Sequence, residues 1–178
     1  MSHKSFPLSK VYSLLEPGPV ILVTTEAKEK QNVMAMSWYT MLDFTPPLIG
    51  IVMSDRNYSF SALTKTKECV IAIPTVRLAG TMVKVGNCSG ENTDKFKKFH
   101  LTALPASRVK APLIAECYAN IECKVRDETF AEKYNFFVLE AVKAWVDPRV
   151  KDPKTVHHRG RNVFVTDGKI LKIASKKK

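Results

Sequence analysis

The chain has 178 residues, of which 45% are hydrophobic and 25% charged, with a formal net charge of +11 at neutral pH. That length suits one compact domain with a real core, and the mixture excludes a disordered polyelectrolyte. No apolar stretch approaches the roughly 20 residues needed to cross a bilayer, and the opening "MSHKSFPLSK" has no continuous apolar segment, so a non-membrane, cytoplasmic protein is expected.

"VILVTT" at residues 20–25 reads as a strand because β-branched residues dominate it. "EAKEKQN" is a polar connection, and "VMAMSW" a returning strand with Val33, Ala35 and Ser37 on one face and Met34, Met36 and Trp38 on the other. Both faces are mostly apolar, as in a barrel wall covered inside and outside. "LIGIVM" supplies another strand, with Pro46 and Pro47 expected to keep its start out of a regular ladder.

"NYSFSALTKTK" has a helical rhythm, with Phe60 and Leu63 on its apolar side and Asn57 or Ser59 as a cap. "ECVIAIP" returns to strand character and ends at Pro74. "TVRLAGTMVKVG" predicts a short helix through Val76, Ala79, Met82 and Val83, and "NCSGENTDKFKKFHL" a polar loop and a second short helix. In "CYANIECKV", residues Cys117, Ala119, Ile121, Cys123 and Val125 alternate with polar ones, predicting a one-sided strand. "YNFFVLEAVKAWV" extends the pattern, and "NVFVTDGKILKI" is expected to form a hairpin turning at Asp167 and Gly168. Many strands, few short helices and no long crossovers predict a mainly β fold, an antiparallel barrel closed or nearly so.

The chemistry-bearing residues are sparse. The four cysteines form no CxxC pair and, with the histidines, no zinc spacing; they read as reduced thiols, with Cys88 in the loop "GNCSG". No dinucleotide-binding glycine fingerprint or P-loop is present. His157 and His158 lie in "KTVHHRGRN" without an assigned nucleophile. The positive charge suits nucleic acid, an anionic membrane or phosphorylated small molecules. It is dispersed, however, and no RNA-recognition aromatic box or zinc finger accompanies it, so nucleic acid is the least favoured partner.

Three stretches suit a cofactor pocket. In "MAMSWYT", Met36 and Trp38 can wall a planar ring while Ser37 answers its polar edge; ordinary barrel packing explains the same residues. In "MSDRNYSFSAL", Ser54, Arg56, Asn57 and Ser59 cluster where a strand yields to a helix, a place to hold a terminal phosphate or simply a capped hydrophilic loop. "GNCSGENTDKF" adds Ser89 and Lys95 as anion contacts, unless Lys95 merely solvates a helix face.

The order of "EPGPVILVTT", "NVMAMSW", "FTPPLIGIVMS", "ECVIAIP", "NCSGENTDKF" and "AECYANIECKV" resembles the flavin reductase-like family, of flavoredoxin type, with an FMN-binding split β-barrel. The resemblance implies a single such domain over residues 6–174, a homodimer, and noncovalent FMN near strand ends. By the same resemblance Ala35, Met36, Ser37 and Trp38 lie near the flavin ring. Ser54, Arg56 and Ser59 lie around the ribityl or phosphate part, with Ser89 and Lys95 on the phosphate side. Where the family's strand carries an asparagine, this chain has Ala72, so any matching polar contact must come from elsewhere.

The function expected is an FMN-dependent oxidoreductase that accepts hydride from NADH or NADPH and passes electrons to free flavin or another acceptor. His157 is a residue that can approach the nicotinamide side. The alternatives are a noncatalytic FMN-binding electron carrier and, last, a basic nucleic-acid-binding barrel.

Overall fold

In a computed structural model the described residues are 3–15 and 18–172, which leaves part of "EPGPVILVTT", the end of "ILKI" and the terminal lysines outside them. Strand β1 (Lys4–Phe6) is followed by the short helix α1 (Tyr12–Leu15) and then by a run of four strands. These are β2 (Ile21–Ala27), β3 (Lys30–Met36), β4 (Tyr39–Phe44) and β5 (Pro47–Val52). Helix α2 (Tyr58–Thr66) leads to β6 (Glu68–Ile73), and α3 (Ala79–Gly86) and α4 (Lys95–Lys98) lead to the two-residue strands β7 (Ala103–Leu104) and β8 (Leu113–Ile114). The long strands β9 (Ala119–Asp127) and β10 (Phe136–Val146) flank α5 (Ala131–Tyr134), and β11 (Val156–His158) and β12 (Phe164–Thr166) follow.

The main sheet is antiparallel at every junction, in the order β3-β2-β6-β9-β10-β5-β4, with β1 added on β10. A mainly β architecture with short helices is therefore what the alternation encodes. The apolar character of both faces of β2 and β3 has a direct cause. Ile21, Val23 and Met36 enter one buried cluster with Leu63 of α2 and Phe137 of β10. Leu22 and Val33 enter a second, with Met82 and Val85 of α3 and Phe96 of α4. The sheet has a core on each side, so neither face alternates with water. Within the first cluster Phe60 meets Phe137 edge to face at 5.5 Å, a geometry aromatic quadrupoles favour.

Four expectations are revised. The strand read in "VMAMSW" stops at Met36: Ser37 and Trp38 form the corner between β3 and β4, and Val52 N–H donates to Trp38 O at 3.0 Å. Pro47 sits inside the β5 ladder, opposite Phe44, at the start of an edge pairing where its missing N–H removes little. "CYANIECKV" is not one-sided, since Asn120 and Glu122 are fully buried on the face opposite Ile121 and Cys123. Their polarity is answered locally. Asn120 bonds Ile114 N and O, and Glu122 accepts from Ser107 N, Arg108 N and Trp145 Nε1, which together hold its carboxyl below the usual range although burial alone would raise it. Cys117 precedes β9 and enters the other cluster from Cys123; all four thiols are free.

The last hairpin also turns elsewhere. β11 pairs with β12 across residues 159–163, where Gly160, Arg161 and Asn162 adopt φ of 87°, 46° and 62°. Three successive left-handed residues reverse the chain there. Asp167, expected at the turn, instead accepts from Thr155 N at 2.7 Å and Thr155 Oγ1 at 2.8 Å.

Candidate functional site

Two adjoining cavities share Ala35, Gly86 and Asn87 in their walls, so they form one continuous cleft between the end of β3, the C-terminus of α3 and the start of α2. The two halves differ in chemistry.

The polar half, about 290 Å³, is built on the first turn of α2. Arg56, Asn57, Tyr58 and Ser59 line it, and Asn57 has the extended backbone of an N-cap without a side-chain capping bond. The helix start thus presents backbone N–H groups and the positive end of its dipole to the cleft. Across from it lies the loop after α3, with Cys88, Ser89 and Gly90, and behind that loop Lys95. Lys95 is only 4% exposed, its Nζ donates to Val85 O at 2.9 Å, and no carboxylate pairs with it among the described residues. Burial pulls its pKa down, against a smaller opposing pull from Cys88. No acidic side chain lines this half. At its margin Lys30 Nζ sits 4.7 Å over the Tyr58 ring and donates to Glu91 O.

Thr25, beneath the cleft, stands on β2 directly opposite Asn32 of β3, which lines the cleft. Both are buried, and both donate to Ser59 Oγ, Thr25 Oγ1 at 3.2 Å and Asn32 Nδ2 at 2.8 Å. Asn32 Oδ1 is buried without a hydrogen-bond partner. It faces Gly90, where any side chain would overlap the Asn32 amide, so this close approach requires glycine.

The apolar half, about 230 Å³, runs from Ala35, Met36 and Ser37 to Met82 and Val83 of α3. Its outer wall is the β11–β12 hairpin, which supplies His158, Asn162 and Phe164. The rings of His158 and Phe164 lie 5.1 Å apart. Backbone bonds from Val20 N to Val156 O (2.7 Å) and Val76 N to Lys154 O (2.8 Å) anchor the hairpin. His157 points away from the cleft, with Nε2 3.0 Å from Asp167 Oδ1 and Nδ1 3.2 Å from Gly18 O.

Of the residues singled out from sequence, Ala35, Met36, Ser37, Arg56, Ser59, Ser89 and Lys95 line this cleft. Trp38 is 70% exposed and off its wall, and Ser54 lies outside it, bonded to Asp55 and Arg56 N. Ala72 is core beneath α3. Sequence reasoning missed Asn32, Gly90, Asn162 and Phe164, named His158 only as a histidine without an assigned role, and left the hairpin trio unplaced. The polar pair Thr25 and Asn32, closing two strongly apolar strands, was a usable signal for the first. The hairpin trio carried none, because nothing local says which wall that hairpin covers.

A larger cavity of about 830 Å³ lies between residues 75–78, 116–118 and 147–154. Its charges are largely answered internally: Arg149 pairs with Asp147 at 2.7 Å, Lys154 with Asp152 at 3.1 Å, and Glu116 accepts from Thr102 N. Among the described residues no cluster of His, Cys, Asp and Glu could hold a metal ion, and no helix is long and apolar enough to cross a membrane.

The family described as "Flavin reductase like domain" matches residues 14–165. An uncharacterized protein of Archaeoglobus fulgidus is 36% identical over 149 residues, covering 82% of this chain and 84% of its own. Flavoredoxin of Desulfovibrio vulgaris superposes with a TM-score of 0.82 at 25% identity, covering 91% of this chain and 93% of that one. An FMN-binding domain of a flavin reductases-like enzyme from Shewanella baltica has the same fold, with a TM-score of 0.90 at 24% identity over 97% of this chain and 98% of that one.

Proposed function

The chain belongs to the flavin reductase-like family, and on that footing we propose that it binds FMN in this cleft and works as an NAD(P)H-dependent oxidoreductase. The observation that carries the reading is Lys95, a buried ammonium with no carboxylate paired to it among the described residues, in a cavity half without acidic lining. Burying such a charge costs several kcal/mol unless an anion answers it. The donor set fits a phosphate: Lys95, the Arg56 guanidinium, the Ser59 and Ser89 hydroxyls and the start of α2. The apolar half fits a planar ring, with Ala35 and Met36 on one side, Phe164 on another and Ser37 at the polar edge.

FMN bound there would supply the redox chemistry between a nicotinamide donor and free flavin or another acceptor. The protein binds, orients and shields. Lys95 and Arg56 hold the phosphate end, Met82 and Val83 exclude water from the ring's inner flank, and His158 borders the side on which a donor approaches. No side chain has to form a covalent bond.

One domain over residues 6–174 is the unit that does this, a split barrel whose sheet ends at β3 and β4. The working form is a homodimer. Leu42 and Phe44 of β4 are exposed, and the Phe136 ring lies over Gly50 beside Leu42, continuing the apolar surface toward Phe130 and Tyr134. A patch of this kind on an edge strand favours a partner. Trp38, 70% exposed, lies in the chain between Ser37 of the cleft and the start of β4.

Flavin-free protein titrated with FMN should saturate at one flavin per chain. Anaerobic NADH or NADPH should then bleach the bound flavin. Stoichiometric FMN without bleaching would leave an electron carrier, and no FMN uptake by folded protein would reject the proposal altogether.

A further inference from the structure

We propose that Thr25 and Asn32 aim the proton of the Ser59 hydroxyl into the cleft, making Ser59 a dedicated donor that selects a flavin carrying a phosphomonoester over one ending in a hydroxyl. The inference rests on the polar half being the phosphate end.

A serine hydroxyl has one proton to give and two lone pairs to accept with. Ser59 Oγ already accepts from Thr25 Oγ1 at 3.2 Å and from Asn32 Nδ2 at 2.8 Å. With both lone pairs engaged from below, its proton is directed toward the remaining open side, and Ser59 lines the cleft. The three side chains are buried at 0%, 3% and 1% exposure, so water does not compete for these positions. Thr25 and Asn32 are opposite one another across a ladder, and this register fixes their separation independently of the loops. Gly90 then packs on the far side of the Asn32 amide and limits its rotation.

A phosphate dianion offers acceptors only, and its hydrogen bonds are charge-assisted, about twice as strong as neutral ones. A hydroxyl held as a donor therefore rewards the phosphate far more than the alcohol of riboflavin. Thr25 does not line the cleft. It is a positioning residue acting through Ser59.

The test is fluorescence titration of flavin-free wild-type protein, Thr25→Val, Thr25→Ser and Asn32→Asp with FMN and with riboflavin, alongside apo-protein melting. Valine keeps the shape of threonine and removes the donor, and should weaken FMN binding about tenfold while riboflavin shifts less than about twofold. Thr25→Ser restores the donor and should restore FMN affinity. Asn32→Asp replaces a donor by an acceptor that draws the Ser59 proton back, and should weaken FMN binding by about a hundredfold or more. If Thr25→Val precipitates, Thr25→Ala gives the same reading, because it likewise removes the donor without adding a charge. Equal losses for both flavins, or unchanged FMN affinity in Thr25→Val and Asn32→Asp, overturn the inference. A wild-type protein that does not prefer FMN to riboflavin instead overturns the phosphate-end reading beneath it.

Discussion

The Lys95 ammonium donates to the carbonyl oxygen of Val85 at 2.9 Å, and that carbonyl is the only hydrogen-bond acceptor it has among the described residues. One neutral acceptor cannot neutralise a cation held at 4% exposure. The folded apo protein thus carries a stability penalty at the place proposed to hold the phosphate.

Replacing Lys95 by methionine should therefore act in opposite directions on two measurements. The apo protein should melt about 2–4 °C higher, and its FMN affinity should fall about a hundredfold. The pH dependence has a definite sign. Because burial depresses the folded pKa of Lys95, the penalty is full below that folded value and is relieved as pH rises from it toward the unfolded value of about 10.4. Melting curves between pH 7 and 10 should show this relief in wild type and lose it in the variant. A variant that melts lower than wild type at pH 7 would refute the account.

Gly90→Ala places a methyl group against the Asn32 amide. Either the loop or Asn32 must shift, at a cost of about 1–3 kcal/mol. Denaturant midpoints for Gly90→Ala, Asn32→Ala and the double variant should show strong coupling, since removing the amide removes the collision. Additive losses would mean the loop simply moves aside.

Asp167 ties the hairpin down. Burial would raise its pKa, but bonds from Thr155 N–H, the Thr155 hydroxyl and His157 override this and hold it low. A depressed carboxylate contributes stability above its unfolded pKa, and loses it as pH falls through about 4 toward the folded value. Acid should therefore loosen the hairpin and with it the wall made by His158 and Phe164. Asp167→Asn should reproduce this at pH 7, weakening riboflavin binding about tenfold with a stability loss of about 1–3 kcal/mol. Riboflavin affinity that is indifferent to both changes would detach the hairpin from ring binding.

The apolar surface of β4 offers the test of assembly. Leu42→Lys combined with Phe44→Asp puts opposite charges on side chains that are 48% and 55% exposed, at little expense to the folded chain. Sedimentation velocity should show a dimer for wild type and a monomer for the double variant. A wild-type monomer at tens of micromolar would exclude the homodimer.

How much of this was readable beforehand depended on range. Short-range pattern placed β2, β5, β6 and helix α2 within a residue or two, and β3 and α3 with their starts about three residues off, because β-branched runs and 3.6-residue spacing are local properties. It also singled out Ser54, Arg56, Asn57 and Ser59 at one helix start and Ser89 and Lys95 in a separate loop, since polar groups at such places are local as well; that the two groups meet in one cleft, without Ser54, is tertiary. What failed was tertiary. Asn120 and Glu122 look like solvent-facing residues of an alternating strand, and only the 103–114 segment folded over them makes them interior. His157 and His158 are adjacent in sequence, yet the strand sends one ring to Asp167 and the other into the cleft. Which of two neighbours faces the site is a matter of register, and a hairpin whose turn sits some six residues earlier than expected reverses that choice.

The hairpin wall has a consequence for biogenesis. Its strands are the last described elements in chain order, so a polypeptide still attached to the ribosome has β3 and α2 in hand long before His158, Asn162 and Phe164 emerge. The phosphate grip can form during translation, whereas the aromatic half stays open until synthesis passes residue 164. Capture of the proposed cofactor is thereby deferred until this hairpin is made, and a truncated product ending after β10 would have the polar half of the cleft without the wall of His158 and Phe164.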